Sequence, residues 1–242
     1  MKEIPTHSVP VESGYTKLET YRYERKFLLD DLPIWHAAAI IKLHPGMLSE
    51  TYPPRYVNNL YLDTPDMENY YDNVNGATQR RKVRVRWYAT PFGKINHPVL
   101  EIKVKNGLAG TKYAYPLAPF YLDQSFCSRY FRSILLNSSL PENVYRDLCR
   151  FEVVLLNRYY RYYYASWDGN FRVTLDSRMS FYRVNSTIGN SFLHRQMNYH
   201  SLVVELKYDI DQDLNANRVA SFFPFRVTKN SKYVEGIERV YF

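Results

Sequence analysis

The chain has 242 residues, of which 45% are hydrophobic, and this is enough for one domain with a substantial core. Its formal net charge of +8 predicts a polyanionic partner such as nucleic acid, an anionic membrane or a phosphate-rich small molecule. No apolar run reaches membrane-spanning length and the N-terminal stretch lacks an apolar signal region, which argues against a secreted or membrane-embedded protein and predicts a cytoplasmic one.

Residues 1–18 are polar with scattered prolines and predict a flexible lead-in, followed by a single domain over residues 19–242. The remaining chain alternates strand-like runs with a few helical segments. The predicted strands are Tyr21–Leu28, Arg55–Leu62, Arg80–Tyr88, Val99–Lys105, Lys112–Pro116, Phe151–Tyr164, Phe171–Asp176, Ser201–Asp209 and Phe225–Thr228. The predicted helices are Leu32–Leu43, Asp66–Val74, Gln124–Leu136 and Glu142–Cys149. Together they predict an α+β fold that is mostly β.

Several predicted strands share an alternation in which one face is apolar and the other is cationic with isolated acids. A solvated face normally mixes serine, threonine, glutamine, glutamate and lysine, whereas arginine and lysine dominate here. The charged positions that share this face are Arg22, Glu24, Lys26, Lys82, Arg84, Arg86, Glu101, Lys103, Lys105, Arg172, Asp176, Glu205 and Lys207. For one strand, a wet surface explains such a row best, but its repetition over five strands favours a common binding surface.

A flat sheet carrying these rows on one face would suffer strong like-charge repulsion. Closing the sheet around a polyanion removes that problem, because phosphates neutralise the rows, and closure also removes the sheet edges. We therefore expect a closed antiparallel barrel with a basic lumen. Single-stranded nucleic acid would need aromatic rings on the charged face, but Tyr23, Phe27 and Trp87 fall on the opposite face, so the sequence argues against nucleic-acid binding.

Three glutamates, Glu24, Glu101 and Glu205, each stand two residues before a lysine. Such a carboxylate can hold a divalent cation that bridges phosphate oxygens, or it can form an ion pair that orients the lysine. We favour a metal-ligand role for Glu205 and ion pairing for the other two. Farther on, Lys229, Ser231 and Lys232 lie in a turn-like context and are expected to cap one mouth of the lumen.

The set of motifs resembles the polyphosphate polymerase domain of the vacuolar transporter chaperone (VTC) family, within the triphosphate tunnel metalloenzymes. The matching pieces occur in the family's order and are Tyr23–Phe27, Leu60–Thr64, Arg81–Tyr88, Leu100–Lys103, Arg172–Asp176, Val204–Lys207 and Ser231–Gly236. The resemblance implies an eight-stranded antiparallel tunnel, with ATP and polyphosphate as partners. It also implies transfer of the γ-phosphoryl group of ATP to a growing polyphosphate chain with Mn²⁺ or Mg²⁺.

Carried over by motif, Glu205 corresponds to the metal-anchoring glutamate. The phosphate-binding positions implied by the resemblance are Lys26, Arg84, Arg86, Lys103, Lys112, Arg161, Lys229, Ser231 and Lys232. Arginine binds phosphate through a rigid fork, so Arg84, Arg86 and Arg161, with Lys103, are expected to serve catalysis. The alternation adds Arg22, Lys82, Lys105, Arg172 and Lys207 as substrate-binding residues.

One departure separates this chain from the tunnel triphosphatases, which carry Glu-x-Glu-x-Lys on their first strand. Here Arg22 takes the place of the first glutamate, which removes a metal ligand and favours the polymerase. Hydrolysis of triphosphate or nucleoside triphosphates in the same tunnel, and a non-catalytic polyphosphate-binding module, stay open as alternatives. The sequence contains neither a phosphate-sensing module nor membrane helices, so a stand-alone, bacterial-type protein is expected, which leaves room for a membrane partner.

Overall fold

A computed structural model describes residues 16–18, 22–106, 109–185 and 191–242. Strands dominate these residues, with short helices between them. The strands are β1 (Thr16–Leu18), β2 (Arg22–Asp30), β3 (Ser49–Asp63), β4 (Gln79–Tyr88), β5 (Gly93–Ile95), β6 (Val99–Asn106), β7 (Ala109–Pro116), β8 (Phe120–Leu122), β9 (Glu152–Ala165), β10 (Phe171–Arg183), β11 (Arg195–Asn198) and β12 (Ser201–Asp209). The helices are α1 (Ile34–Lys42), α2 (Glu68–Val74), α3 (Ser128–Leu136), α4 (Glu142–Leu148), α5 (Asp213–Ser221) and α6 (Lys232–Tyr241).

Nine strands form one antiparallel sheet in the order β1-β7-β6-β4-β3-β9-β10-β12-β2, and β11 adds to β10. Strand β1 belongs to the predicted N-terminal lead-in, whose residues 1–15 lie outside the described residues. The α+β class is confirmed, whereas the closed eight-stranded barrel is wrong, because no hydrogen-bonded pairing joins β1 to β2 within the described ranges. Leu18 and Arg22 are four residues apart, so the two edges are within about 15 Å of each other.

A local segment explains why the sheet stays open at this seam. The predicted strand Phe225–Thr228 is wrong: these residues make only one bridge, between Val227 and Phe27 of β2. Thr228 N donates to Lys26 O at 2.8 Å, and Leu28 N donates to Thr228 Oγ1 at 3.1 Å. This segment therefore covers the middle of the free edge of β2, at residues 26–28, where another strand would otherwise pair.

The sheet is nevertheless rolled strongly enough to bring its two ends together. Five strands lie between β6 and β2 in the sheet order, yet Lys103 Nζ of β6 lies 3.5 Å from Glu24 Oε2 of β2. Such a contact requires that both side chains stand on the inner, concave face. We call the space enclosed by this face the lumen.

The convex face carries two hydrophobic clusters that the helices cover. One joins the apolar positions of β4 and β6 to α3 and α4, and includes Val83, Leu100 and Phe131. The other joins β2, β10 and β12 to α1 and α5, and includes Phe27 and Ile41. The alternation in the sequence thus fixed which side chains face outward, and burial of these apolar rows provides the main driving force for folding. Among the described residues, no helix is long and apolar enough to span a membrane.

Helix α6 fills one end of the concave face and forms a third cluster with β9, β10 and β12. Gly236 allows this approach, because a Cβ atom there would lie 2.5 Å from Leu155 Cδ2 and 2.7 Å from Phe181 Cδ1. Tyr233 stacks on Tyr61 at 5.0 Å between ring centroids. One end of the rolled sheet is therefore packed with apolar side chains, and the rest of the lumen is charged.

Candidate functional site

The lumen collects most of the cations that the sequence predicts. Register explains the arrangement: Lys103 of β6 pairs with Lys82 of β4 on one side and Lys112 of β7 on the other, so the three side chains share a face. On the far side of the rolled sheet, Lys26 of β2 pairs with Glu205 of β12. The predicted site residues on the concave faces of the strands are Lys26, Lys82, Arg84, Arg86, Lys103, Lys105, Lys112, Arg161, Arg172, Glu205 and Lys207.

Glu101 holds three cations on the wall made by β4, β6 and β7. Its Oε2 accepts from Arg84 Nε at 2.7 Å and lies 3.7 Å from Arg86 Nη1, and its Oε1 accepts from Lys112 Nζ at 2.5 Å. Burial favours the neutral acid, but the three cations outweigh it and hold the pKa of Glu101 well below its usual range. Glu101 therefore fixes the two arginines side by side. It forms ion pairs, as the sequence predicts, but with Arg84, Arg86 and Lys112 and not with the lysine two residues on, Lys103, which contacts Glu24.

A buried charge network occupies the wall formed by β9, β10 and β12. Arg161 binds Asp176 through both Nε and Nη2, at 2.6 and 2.7 Å, and its Nη2 also lies 3.2 Å from Glu205 Oε2. Lys232 reaches in from α6 and lies 2.7 Å from Asp176 and 3.2 Å from Glu205. Arg161 and Lys232 thus donate mainly to protein carboxylates. They hold Asp176 and Glu205 in position and are not free in the lumen.

Glu205 is surrounded by four cations rather than by other acids. Lys207 lies at 2.7 Å, Arg161 and Lys232 at 3.2 Å, and Lys26 at 3.8 Å. Despite burial, these cations, beginning with Lys207, keep the pKa of Glu205 well below its usual value. The carboxylate is therefore ionised, as a metal ligand must be.

The donor set around Glu205 fits a divalent cation only in part. Among the described residues, no three histidine, cysteine, aspartate or glutamate side chains come together as a metal site. Glu24 shares Lys26 with Glu205, since Lys26 Nζ lies 2.9 Å from Glu24 and 3.8 Å from Glu205. Mg²⁺ commonly takes one or two carboxylates and completes its shell with water and substrate phosphates. This pair thus fits an ion that arrives with a phosphate chain.

Within the described residues of the lumen, Lys82 and Lys105 make no ion pair with a carboxylate, although Lys26 and Lys103 beside them do. Burial lowers the pKa of Lys82 well below the ordinary lysine value, and the neighbouring Lys26 and Lys103 lower it further. The nearby Lys105 shows the same direction of pKa shift, first from burial and then from Lys103. Glu24 opposes both shifts without cancelling them. This group of lysines is therefore a place where an added anion would be stabilised.

The C-terminal residues close one mouth of the lumen through a helix rather than a turn. Ser231 is the N-cap of α6 and accepts a hydrogen bond from Val234 N at 3.4 Å, while its hydroxyl also accepts from Lys82 Nζ at 2.8 Å. Lys26 Nζ donates to Asn230 O at 2.9 Å. The turn-like context predicted for Lys232 is wrong, because this residue opens a helix whose buried face the sequence analysis missed, although Tyr233, Ile237 and Val240 show helical spacing.

Two predicted site residues are not placed in the lumen, and a third lies at its edge. The side chain of Arg22 lies outside the described part of the structure, and Lys229 is exposed in the segment that follows the β2 seam. Arg172, at the start of β10, pairs with Lys207 and so stands on the concave face, with an exposed side chain. Their predicted role in substrate binding rests on sequence motifs alone.

The structure adds a cluster at the lumen rim that the alternation did not reveal. Arg55 of β3, which pairs with Arg161, lies among three tyrosines. Its Cζ atom is 4.6 Å from the ring centroid of Tyr88, 5.0 Å from that of Tyr163 and 5.8 Å from that of Tyr52. Tyr52 and Tyr88 are about half exposed, at 57% and 47%. Exposed rings beside a guanidinium offer stacking surfaces for a planar group.

Asn59 and Tyr159 were also missed because they are not charged, whereas Asp176 belongs to the charged face that the alternation predicts. Arg86 Nε donates to Asn59 Oδ1 at 2.9 Å, and Arg86 Nη2 donates to the Tyr159 hydroxyl at 3.2 Å. Asp176, which binds Arg161, is fully buried. Side chains two residues apart in a strand point to the same face, so the position of each residue two places from a lumen-facing neighbour in its strand could have identified it.

Comparison with known proteins gives one family profile and several solved structures. The family profile described as "VTC domain" matches residues 21–241. A search of curated protein sequences found no match. Among solved structures, a candidate adenylate cyclase from Bacillus halodurans is similar with a TM-score of 0.50 and 13% identity, over 93% of this chain and 98% of that one. A candidate adenylate cyclase from Vibrio parahaemolyticus has a TM-score of 0.49 and 13% identity, over 89% of this chain and 98% of that one.

Proposed function

Because this chain belongs to the VTC domain family, we propose that its lumen binds the phosphate chain of ATP and transfers the γ-phosphoryl group to polyphosphate. The group of lysines around Lys82 carries the proposal. Buried positive charge that the protein's own acids leave unbalanced is costly, and a polyanion offsets that cost. The lowered pKa of Lys82 reflects this imbalance.

The arrangement of the two walls supports a division of labour. Arg84 and Arg86 are held side by side by Glu101, Asn59 and Tyr159, so their forks are preorganised for phosphate oxygens. Lys26, Lys82, Lys103, Lys105 and Lys112 bind the chain as point charges. Arg161 and Lys232 position Asp176 and Glu205, and Lys207 pairs with Glu205 across from them.

The proposed reaction needs little covalent chemistry from the protein. A terminal phosphate oxygen of the polymer is already anionic, so it attacks without a general base, and the lumen supplies alignment and neutralisation of charge on the transferred group. When bound with the nucleotide, Mg²⁺ or Mn²⁺ would be held by Glu205 and Glu24 and would neutralise charge on the transferred phosphoryl group.

The rim cluster supports a nucleotide as the donor. Arg55 is surrounded by Tyr52, Tyr88 and Tyr163. These residues lie on β3, β4 and β9, at the rim of the charged part of the lumen. A nucleobase can stack on such rings while its phosphates extend inward to the lysines. Inorganic triphosphate lacks a base and gains nothing there.

Product analysis tests the proposal directly. The purified protein is incubated with ATP and Mn²⁺, or with ATP and Mg²⁺, and the products are resolved by size and by release of orthophosphate. The proposal expects a ladder of polyphosphate with stoichiometric ADP. Orthophosphate with no polymer would instead assign the lumen to hydrolysis, and binding of polyphosphate without turnover would assign it to a binding module.

A further inference from the structure

A second group of arginines lies outside the lumen, on the convex face of the sheet. Here β3, β9, β10 and β11 are adjacent, and Ser180 of β10 pairs with both Arg158 of β9 and Met197 of β11. The neighbours of Ser180 in β10, Met179 and Phe181, belong to the concave cluster, so Ser180 faces outward. A cavity of about 300 Å³ opens at this position, and its lining residues are Tyr56, Arg158, Arg178, Ser180, Arg195 and Tyr199.

The charge of this cavity is not balanced by the protein. In the lumen, Arg84 and Arg161 bind carboxylates directly. By contrast, across the described ranges Arg158, Arg178 and Arg195 form no ion pair. Arginine stays charged at every accessible pH, so three guanidiniums around one cavity repel each other until an anion enters.

The side chain of Arg158 is held in a fixed orientation in the cavity wall, and one of its donors has no acceptor. Its guanidinium lies over the ring of Tyr56, with 3.6 Å between Cζ and the ring centroid, which fixes its orientation. Its Nε atom is buried and has no hydrogen-bond partner. A buried donor without an acceptor is uncommon in folded proteins. The stacked guanidinium therefore presents its terminal Nη groups, rather than Nε, to an anion in the cavity.

The backbone also departs from regular sheet geometry at this cavity. The register between β9 and β10 shifts between Ser177 and Ser180, and Arg178 in this bulge has φ 51°. A bulge re-aims the side chain of its extra residue, and a left-handed conformation is uncommon for a residue other than glycine. The result is that Arg178 lines the same cavity as Arg158 and Arg195.

We propose that this convex pocket binds the diphosphate or triphosphate group of a soluble small molecule, independently of the chemistry in the lumen. A single carboxylate would leave most of the charge of three guanidiniums unbalanced, whereas a diphosphate or triphosphate offsets it. Guanidinium forks match phosphate oxygens bidentately, and the Ser180 hydroxyl offers a further donor. The volume lies at the lower end of small-molecule sites, which suits a compact anion.

Counting bound ligand tests the proposal without requiring turnover. Radiolabelled inorganic tripolyphosphate is equilibrated by dialysis against the parent protein and against the double variant Arg178→Gln/Arg195→Gln, at physiological ionic strength. We expect the double variant to bind one equivalent fewer than the parent, because affinity at the pocket falls by at least about tenfold for each lost arginine. An unchanged stoichiometry would overturn the proposal.

A matched control separates a built pocket from general positive charge. The exposed residues Lys94 and Arg226 lie outside the pocket lining, and Lys94→Gln/Arg226→Gln removes the same number of charges. This control should retain the parent stoichiometry, and its loss of an equivalent would also refute the pocket. Thermal unfolding and an unchanged activity of the lumen report that each variant is folded. If the double variant does not fold, the single variant Arg195→Gln, at an exposed side chain, should bind one equivalent at least about tenfold more weakly than the parent, and unchanged affinity would overturn the proposal. If the proposed lumen function is wrong, the expected difference of one bound equivalent between the parent and the double variant stays the same.

Discussion

Replacing Arg84 with alanine tests whether the lumen is a shaped phosphate site. Arg84 Nε and Nη2 both lie close to Glu101 Oε2, at 2.7 and 2.6 Å, and the side chain keeps 26% of its area exposed to the lumen. In the variant, Glu101 retains Lys112 at 2.5 Å and Arg86 at 3.7 Å. No carboxylate is left buried without a partner, so we expect the fold to be retained.

The expected loss is catalytic rather than structural. Removing one preorganised donor from a transition-state site typically lowers the rate by about two to three orders of magnitude. Arg84→Lys restores the charge without the fork and should recover only part of the activity. Both variants should unfold at nearly the parent temperature, since Glu101 keeps two of its three cations.

Arg25 supplies the control with the same charge on the other face of β2. It donates to the Tyr208 hydroxyl at 2.9 Å and to Asn217 Oδ1 at 2.8 Å, on the convex side. Arg25→Ala should cost up to about 1 kcal/mol of stability, as half-exposed ion pairs do, and should leave turnover nearly unchanged. The assay compares kcat/KM of the three variants and the parent with ATP and Mn²⁺. Equal, small losses for Arg25→Ala and Arg84→Ala would refute the reasoning, because general positive charge would then account for binding.

Four further predictions concern the metal, the pH dependence, the helix in the lumen and the rim. Glu205→Gln should raise the Mn²⁺ concentration needed for half-maximal activity, with circular dichroism showing that the protein stays folded. An unchanged Mn²⁺ dependence would mean that Glu205 only pairs with lysines and binds no metal. Bound phosphate favours charged Lys82 and raises its lowered pKa, so binding takes up a proton, and tripolyphosphate affinity should fall as pH rises toward 10.5, by up to about tenfold per unit. Calorimetry in that range checks this, and Lys82→Met should flatten the slope. Gly236→Ala gains about 1 kcal/mol of helix propensity but overpacks contacts of 2.5 and 2.7 Å at a cost of about 1–3 kcal/mol, so its melting temperature should fall, whereas that of the exposed-site control Glu238→Ala should not. Tyr88→Ala should raise KM for ATP and leave KM for tripolyphosphate unchanged; equal effects on both substrates would exclude base stacking at the rim.

The period-two pattern predicted much of the fold because each strand segregates its side chains locally. Lys82, Arg84 and Arg86 face the lumen, while Val83 and Val85 are buried under helices, as their alternation indicates. The strand Ser201–Asp209 has the bounds that the sequence predicts. Membership of the VTC domain family, expected from the ordered motifs, is confirmed by the match over residues 21–241.

Local pattern failed where a segment's structure depends on distant neighbours. Phe225–Thr228 has strand-like composition, but it covers the edge of β2 through a single bridge, and this is also why the predicted closure is wrong. Helix α6 was missed because Lys232 and Gly236 interrupt its apolar face. Both are accommodated only by the charge network and the close contact that they meet inside the rolled sheet.

The sequence by itself determined which faces of the strands are cationic, and therefore that an anion is the expected ligand. Only the tertiary structure decided how those charges are shared: Arg161 is taken up by Asp176, and Glu205 is surrounded by cations. It also decided that Lys82 meets Ser231, 149 positions away in the chain, among lysines that lower its pKa. The reason is physical: alternation is a property of one strand, whereas the balance of charge in a lumen depends on distances between side chains that only the rolling of the sheet brings together.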